Sequence, residues 1–143
     1  IPVTLTWGGT LVPYGPTGLT TSAISNNFSL SVLYGGTYTI TTNQPRYLNL
    51  TATSAKSIYV DGPKTLNALM LRGGNVVDNE LDKDVINTND ASLIGTYYGQ
   101  SITTDPDANF DGKVNILDLA LVGGNFGLTS ATAYTSWSPV TLP

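Results

Sequence analysis

The sequence contains no cysteine and no histidine. Lack of cysteine excludes disulfides and leaves the redox compartment unread. Lack of both removes the commonest general base, the usual zinc ligands and the thiol nucleophile. Charge is scarce as well, at 11% of residues. Nine of the ten acidic residues lie between Asp78 and Asp118, leaving only Asp61 in the first half. The net charge of −4 therefore belongs to the second half, and so acidic a chain has no footprint for nucleic acid or an anionic membrane. No apolar run is long enough to span a bilayer, and no signal peptide is recognisable. Ile1 is a poor initiator, so a processed product or a fragment is expected.

What is there centres on Asp107-Ala-Asn109-Phe-Asp111-Gly112-Lys113-Val114-Asn115-Ile-Leu-Asp118. Oxygen side chains recur at loop positions one, three, five, nine and twelve, Gly112 supplies the turn at six, and the Lys113 carbonyl suits seven. A hard divalent cation takes about that many oxygens from one tight turn. The predicted ligands are Asp107, Asn109, Asp111, Lys113, Asn115 and Asp118, the last being shorter than the Glu usual in an EF-hand. The competing reading is a solvated Asp/Asn turn that caps a helix.

The segment after this loop repeats an earlier one. Asp118-Leu-Ala-Leu-Val-Gly-Gly-Asn-Phe-Gly127 aligns without gaps on Asp90-Ala-Ser-Leu-Ile-Gly-Thr-Tyr-Tyr-Gly99, and Val114-Asn115 aligns on Ile86-Asn87. Two loop-plus-helix copies, each stopped by an aromatic and a glycine, predict a duplicated calcium-binding unit. The first copy is irregular. Counting back from Asp90 puts Leu81 and Lys83 where oxygens belong and Asp84 where glycine belongs; counting forward from Asn75 requires an insertion of about four residues. With it, Asn75, Asp78, Asp82, Asp84 and Asp90 converge on a second ion, the alternative being a metal-free turn. Leu93, Ile94, Tyr97 and Tyr98, with Leu117, Leu121, Val122 and Phe126, recur at helical spacing and predict core between the halves.

Residues 74–137 resemble the dockerin family on these motifs. The resemblance implies two calcium ions, an extracellular setting and a cohesin-like protein partner. It also implies partner contacts at loop positions ten and eleven, which are Thr88 and Asn89 in one half and Ile116 and Leu117 in the other.

Residues 1–71 read as short alternating strands with turn residues between them. Val3–Trp7, Phe28–Val32, Tyr38–Ile40 and Leu48–Ala52 show period two, and Ser57–Val60 and Leu66–Leu71 predict further strands. Asn26-Asn27 and Gly35-Gly36 mark hairpins, and residues 13–18 a longer loop. An antiparallel β-sandwich is the economical expectation. Asn27-Phe28-Ser-Leu30, Gly35-Gly36-Thr-Tyr38-Thr-Ile40 and Pro45-Arg-Tyr47-Leu resemble the carboxypeptidase regulatory-like and Cna-B-like sandwiches, which implies a non-catalytic spacer. Against that pattern no strand precedes Ile1–Trp7, so the first strand is expected to lack an edge partner.

The expected organisation is two small units: a β-sandwich over 1–72, lacking its first strand, an α-helical dockerin-like pair of calcium loop-helix motifs over 73–137, and a strand-capable tail over 138–143. Leu71-Arg-Gly73-Gly74 is too short for a loose linker. Ser136–Pro143 can clasp its own molecule, fill a neighbour's sheet edge and so build a filament, or stay disordered.

Catalysis has little support, because carboxylates in loop spacing suit a cation better than a glycosidase pair. Lys56 and Lys64 have only Asp61 to catalyse a cross-link to Asn. Asn27-Phe-Ser29 and Asn49-Leu-Thr51 match glycosylation sequons on expected strands. The functional expectation is a secreted, non-enzymatic assembly protein, acting through a cohesin-like partner or neighbouring copies of itself. The alternative is a carbohydrate-binding accessory module, with Trp7, Tyr14, Tyr34, Tyr47 and Tyr59 as a sugar platform, core packing being their plainer role.

Overall fold

A computed structural model describes residues 2–7, 10–11, 19–20, 36–51 and 54–140. Among them run strands β1 (Pro2–Trp7), β2 (Thr10–Leu11), β3 (Leu19–Thr20), β4 (Gly36–Thr42), β5 (Tyr47–Leu48), β6 (Lys56–Val60) and β7 (Arg72–Gly73). Helices α1 (Thr88–Thr96) and α2 (Ile116–Asn125) follow. The residues gather into two compact units, one from 1–43, 50–70 and 134–143, the other from 44–49 and 71–133. The expected strand Phe28–Val32, the Asn26-Asn27 hairpin and the 13–18 loop lie outside the described residues.

In the first unit β4 is the centre of an antiparallel sheet ordered β2-β1-β4-β6, with β3 also pairing β1. The alternation read from the sequence explains β4: Tyr38, Ile40 and Thr42 are buried, and Thr37 is exposed. Its registers set Leu5 opposite Ile40 and Tyr38 opposite Ile58, itself buried. Tyr38, Ile40, Leu50 and Ile58 make this core with Tyr134, each aliphatic side chain contributing about 2 kcal/mol by burial. Thr42 is tolerated there because its hydroxyl accepts the Leu50 amide at 3.0 Å while its own amide donates to the Leu50 carbonyl at 3.0 Å.

The flank of β1 expected to be open is paired. Thr6 and Trp7 face β2, and Pro2 and Val3 face β3. Leu66–Leu71 forms no strand; within it the Asn67 amide donates to the Pro139 carbonyl at 2.8 Å, its side-chain amide to the Ser138 carbonyl at 2.9 Å, and Trp137 Nε1 to the Ala68 carbonyl at 3.1 Å. The described part of the tail thus bonds to its own chain.

In the second unit β5 and β7 pair antiparallel, with Tyr47 opposite Gly73. Each helix opens on an asparagine cap, Asn87 or Asn115, closed by Asp90 or Asp118 in a capping box. Each is followed by a glycine in the left-handed region, Gly99 at φ 85° and Gly127 at φ 80°. The duplication shows in reciprocal bonds. Gly99 N–H donates to the Val114 carbonyl and Val114 N–H to that of Gln100, while Gly127 N–H donates to the Ile86 carbonyl and Ile86 N–H to that of Leu128. Each copy's exit strap therefore pairs with the other copy's loop. Leu48, Val76, Ile86, Ile94, Ala108, Val114 and Val122 are buried around this arrangement.

The expected fold class needs correction. A sandwich followed by an α-helical dockerin-like pair does not describe the chain, which has seven strands against two helices among the described residues, in small antiparallel sheets. The helical spacing misled because the second unit draws Tyr47, Leu48, Arg72 and Gly73 into a sheet of its own, a pairing made across 24 positions or more that no local period announces. The predicted helix core also shrinks: of the eight apolar helix positions only Ile94 and Val122 are buried, and Tyr97, Tyr98, Leu117 and Phe126 stay exposed.

Candidate cation-binding site

The second loop is built from consecutive side-chain-to-backbone turns. Asp107 Oδ1 accepts the Asp111 amide and Oδ2 the Gly112 amide, both at 3.1 Å. Asn109 Oδ1 accepts the Asp111 amide at 3.0 Å, Asp111 Oδ1 the Lys113 amide at 2.9 Å, and Asn115 Oδ1 the Leu117 amide at 2.8 Å. Gly112 turns the chain at φ 84°, as position six requires. From α2, Asp118 reaches back with Oδ1 on the Asn109 amide at 3.1 Å and Oδ2 on the Asn115 amide at 2.8 Å. Asp107 and Asp118 are both buried, and these amides compensate their lost hydration. The Asn109 side-chain amide beside it holds the exposed Asp111 carboxyl below its usual range.

The first loop repeats the plan around an insertion. Asp90 stands in for Asp118, its Oδ1 accepting the amides of Val76 and Val77 at 2.8 and 2.9 Å and its Oδ2 that of Asn87 at 2.7 Å. Burial nevertheless pushes its carboxyl up, with the nearby Asp82 charge adding to the rise. Because Val77 now matches Asn109, Asn75 takes the place of Asp107 and Asp84 that of Gly112. Asp84 accordingly adopts φ 56°, a left-handed turn that Asp tolerates better than most residues. It donates its amide to Asp78 Oδ1 at 3.0 Å. Asp82 enters from the insertion, and its carboxylate accepts the side-chain amides of Asn87 and Asn89.

Asn75 carries the most informative atom. It is 2% exposed, and its Oδ1 is buried without a hydrogen-bond partner among the described residues. Such an acceptor is costly unless something electropositive meets it. An orphaned oxygen at the opening position of a loop, with carboxylates following, fits a hard cation. Among the described residues no three His, Cys, Asp or Glu side chains stand close enough to hold a metal by themselves; a cation here draws also on Asn and backbone oxygens.

The four residues carried over as partner contacts lie at the helix starts. Ile116 and Leu117 are 62% and 56% exposed. Thr88 and Asn89 are also exposed, but the Asn89 side chain is engaged by Asp82 at 2.9 Å. Motif reading missed Arg46, whose guanidinium donates to the Asp107 and Thr103 carbonyls and lies 4.1 Å from the Phe110 ring centroid. It is 61 residues from Asp107, so no spacing rule could have found it.

Two oxygen-rich loops, each feeding a capped helix within a mostly β chain, define the class of site. No family model matches the sequence. No characterised protein sequence is significantly similar to it. Among solved structures the chain is similar to a chain of a type II Cohesin-X-Dockerin complex from Acetivibrio cellulolyticus, an N-terminal interface mutant, with a TM-score of 0.56 and 23% identity over 71% of this chain and 69% of that one. A C-terminal interface mutant of the same complex gives 0.52 and 20% over the same shares. At this identity the likeness is one of fold. No helix among the described residues is long and apolar enough to cross a membrane.

Proposed function

We propose that this chain is a non-catalytic, extracellular assembly module whose two loops bind calcium and whose exposed helix starts dock a cohesin-class protein. The observation that carries the reading is the placing of Ile116 and Leu117, two large apolar side chains left in solvent just before the closing Asp118 of an oxygen-lined loop, where α2 begins. Isolated exposed apolar residues are ordinary, but an adjacent pair at the start of a capped helix is the kind of anchor an interface buries. The fold likeness to a chain of a cohesin–dockerin complex supports a protein partner, and the lack of histidine and cysteine supports the absence of catalysis.

Calcium acts here through linkage. The side-chain oxygens of Asp107, Asn109, Asp111, Asn115 and Asp118 are fixed on backbone amides only in the folded loop, so an ion that binds that loop stabilises it. The test is calorimetric titration with calcium, followed by capture of a cohesin module on beads in calcium and in EDTA. Calcium uptake by the native chain, with capture lost in EDTA and in an Ile116→Asp/Leu117→Asp variant that still takes up calcium, is the expected result. A native chain that takes up no calcium, or capture that ignores both the chelator and the double variant, refutes the reading.

A further inference from the structure

Arg46 touches the opening residue of both loops. Its backbone carbonyl accepts the amides of Gly74 and Asn75, at 3.0 and 3.1 Å, where the first loop begins. Its guanidinium donates to the carbonyls of Asp107, which begins the second loop, and of Thr103, at 2.7 Å for the latter. The same group stands 3.9 Å from the carboxylates of both Asp105 and Asp107. The arginine side chain is 11% exposed, packed on Phe110, which in turn stacks on Tyr47 with centroids 6.2 Å apart.

The backbone of Arg46 is in the left-handed region, at φ 65°. A long side chain is disfavoured there, and the conformation persists only when its surroundings hold it. Here it is held at both ends, by the amides of one loop and the carbonyls of the other. A planar, rigid fork suits that task, since it grips two carbonyls in one orientation while its charge faces the Asp107 carboxylate.

We infer that Arg46 is a positioning residue that couples the two loops, so that a cation bound at the second is felt at the amides that open the first. The inference rests on the calcium reading above. Asp107 would be among the residues holding an ion in the second loop, and the ion's charge would then offset the carboxylate that the guanidinium faces at 3.9 Å. The guanidinium is tied to the Arg46 backbone through a side chain only 11% exposed, and that backbone holds the amide of Asn75, whose Oδ1 is without a partner among the described residues.

The experiment uses Asp111→Ala, which leaves the Asp107 carboxylate facing the guanidinium, to block the second loop, in the native background and with Arg46→Met, which keeps an unbranched apolar stem and removes the guanidinium. Calcium affinity of the first loop is read from the calcium-dependent shift of the Val77 amide, and amide exchange is followed at Gly74 and Asn75. In the native background the block is expected to weaken first-loop affinity about five-fold or more and to speed exchange at both amides. With Arg46→Met the loss is expected to fall below about two-fold. Equal losses in the two backgrounds, or none in the native one, overturn the coupling. Arg46→Lys keeps the charge without the fork and is the second variant if Arg46→Met does not fold; native-sized coupling in it overturns the inference. No calcium uptake by the native chain overturns the calcium reading and the coupling together, whereas uptake without coupling overturns the coupling alone.

Discussion

The carboxylate of Asp118 closes its loop by accepting the amide of Asn109, nine positions earlier, at 3.1 Å. Its other oxygen caps α2 through the Asn115 amide. One buried side chain therefore closes a loop and starts a helix. Asp118→Ala is expected to lose both bonds and to cost about 2–3 kcal/mol in EDTA, where no cation contributes. Chemical denaturation in chelator measures it, and an unchanged midpoint would show that the loop closes some other way.

Calcium should add to that. With free ion at about 100 times the dissociation constant, linkage contributes about 2.7 kcal/mol for one site. Thermal melts of the native chain are expected to rise with calcium and fall with EDTA, and Asp107→Ala should remove a large part of the difference. Equal melting temperatures with and without chelator would mean that neither loop holds an ion in the folded chain.

Gly74 has φ 111°, and a Cβ added there would stand 3.0 Å from the backbone of Val122 in α2. Gly74→Ala meets both a disfavoured dihedral and backbone that cannot rotate away, and should cost about 2 kcal/mol or more. Gly95, with nothing within 4 Å of its would-be Cβ, is the control: Gly95→Ala inside α1 should stabilise by about 0.5–1 kcal/mol. A reversed order in urea melts would contradict the close approach of α2.

In the first unit, Ile58 lies opposite Tyr38 in the β4–β6 register, and both are buried. Ile58→Ala is expected to cost about 2–5 kcal/mol, while the neighbouring exposed Tyr59→Ala should cost far less. Near-ultraviolet circular dichroism against urea distinguishes them, and equal costs would place Ile58 outside the core.

Removal of residues 136–143 takes away the Trp137 bond to Ala68 and both bonds of Asn67 to the tail. At about 1 kcal/mol per bond, the melting temperature should drop by several degrees. A truncated chain that melts like the native one would show that these contacts contribute nothing.

Much of the candidate site was legible because its information is local. Asx turns, capping boxes and glycine turns are made by residues a few positions apart, so Asp107 to Asp118 and the repeat at Asp90 can be read in order along the chain. The insertion in the first loop was legible as a count but not as a geometry. Val77, rather than an oxygen side chain, occupies the place of Asn109, and Asp84 turns the chain where glycine was missing. The short strands were partly legible for the same reason: β1, β4 and β6 alternate, whereas β2, β3, β5 and β7 span two residues each and carry no period.

By itself, then, the order of residues decided what depends on neighbours in the chain: where the helices start and stop, which oxygens share a loop, and that the unit is doubled. Tertiary structure alone decided what depends on distant partners. It paired the open flank of β1, left Leu117 and Phe126 in solvent despite their helical spacing, and set Arg46 against Asp107. The physical reason is that turns and caps are satisfied by backbone groups within reach of one side chain, whereas burial and ion pairing depend on which far segment the chain brings back, and no periodicity encodes that.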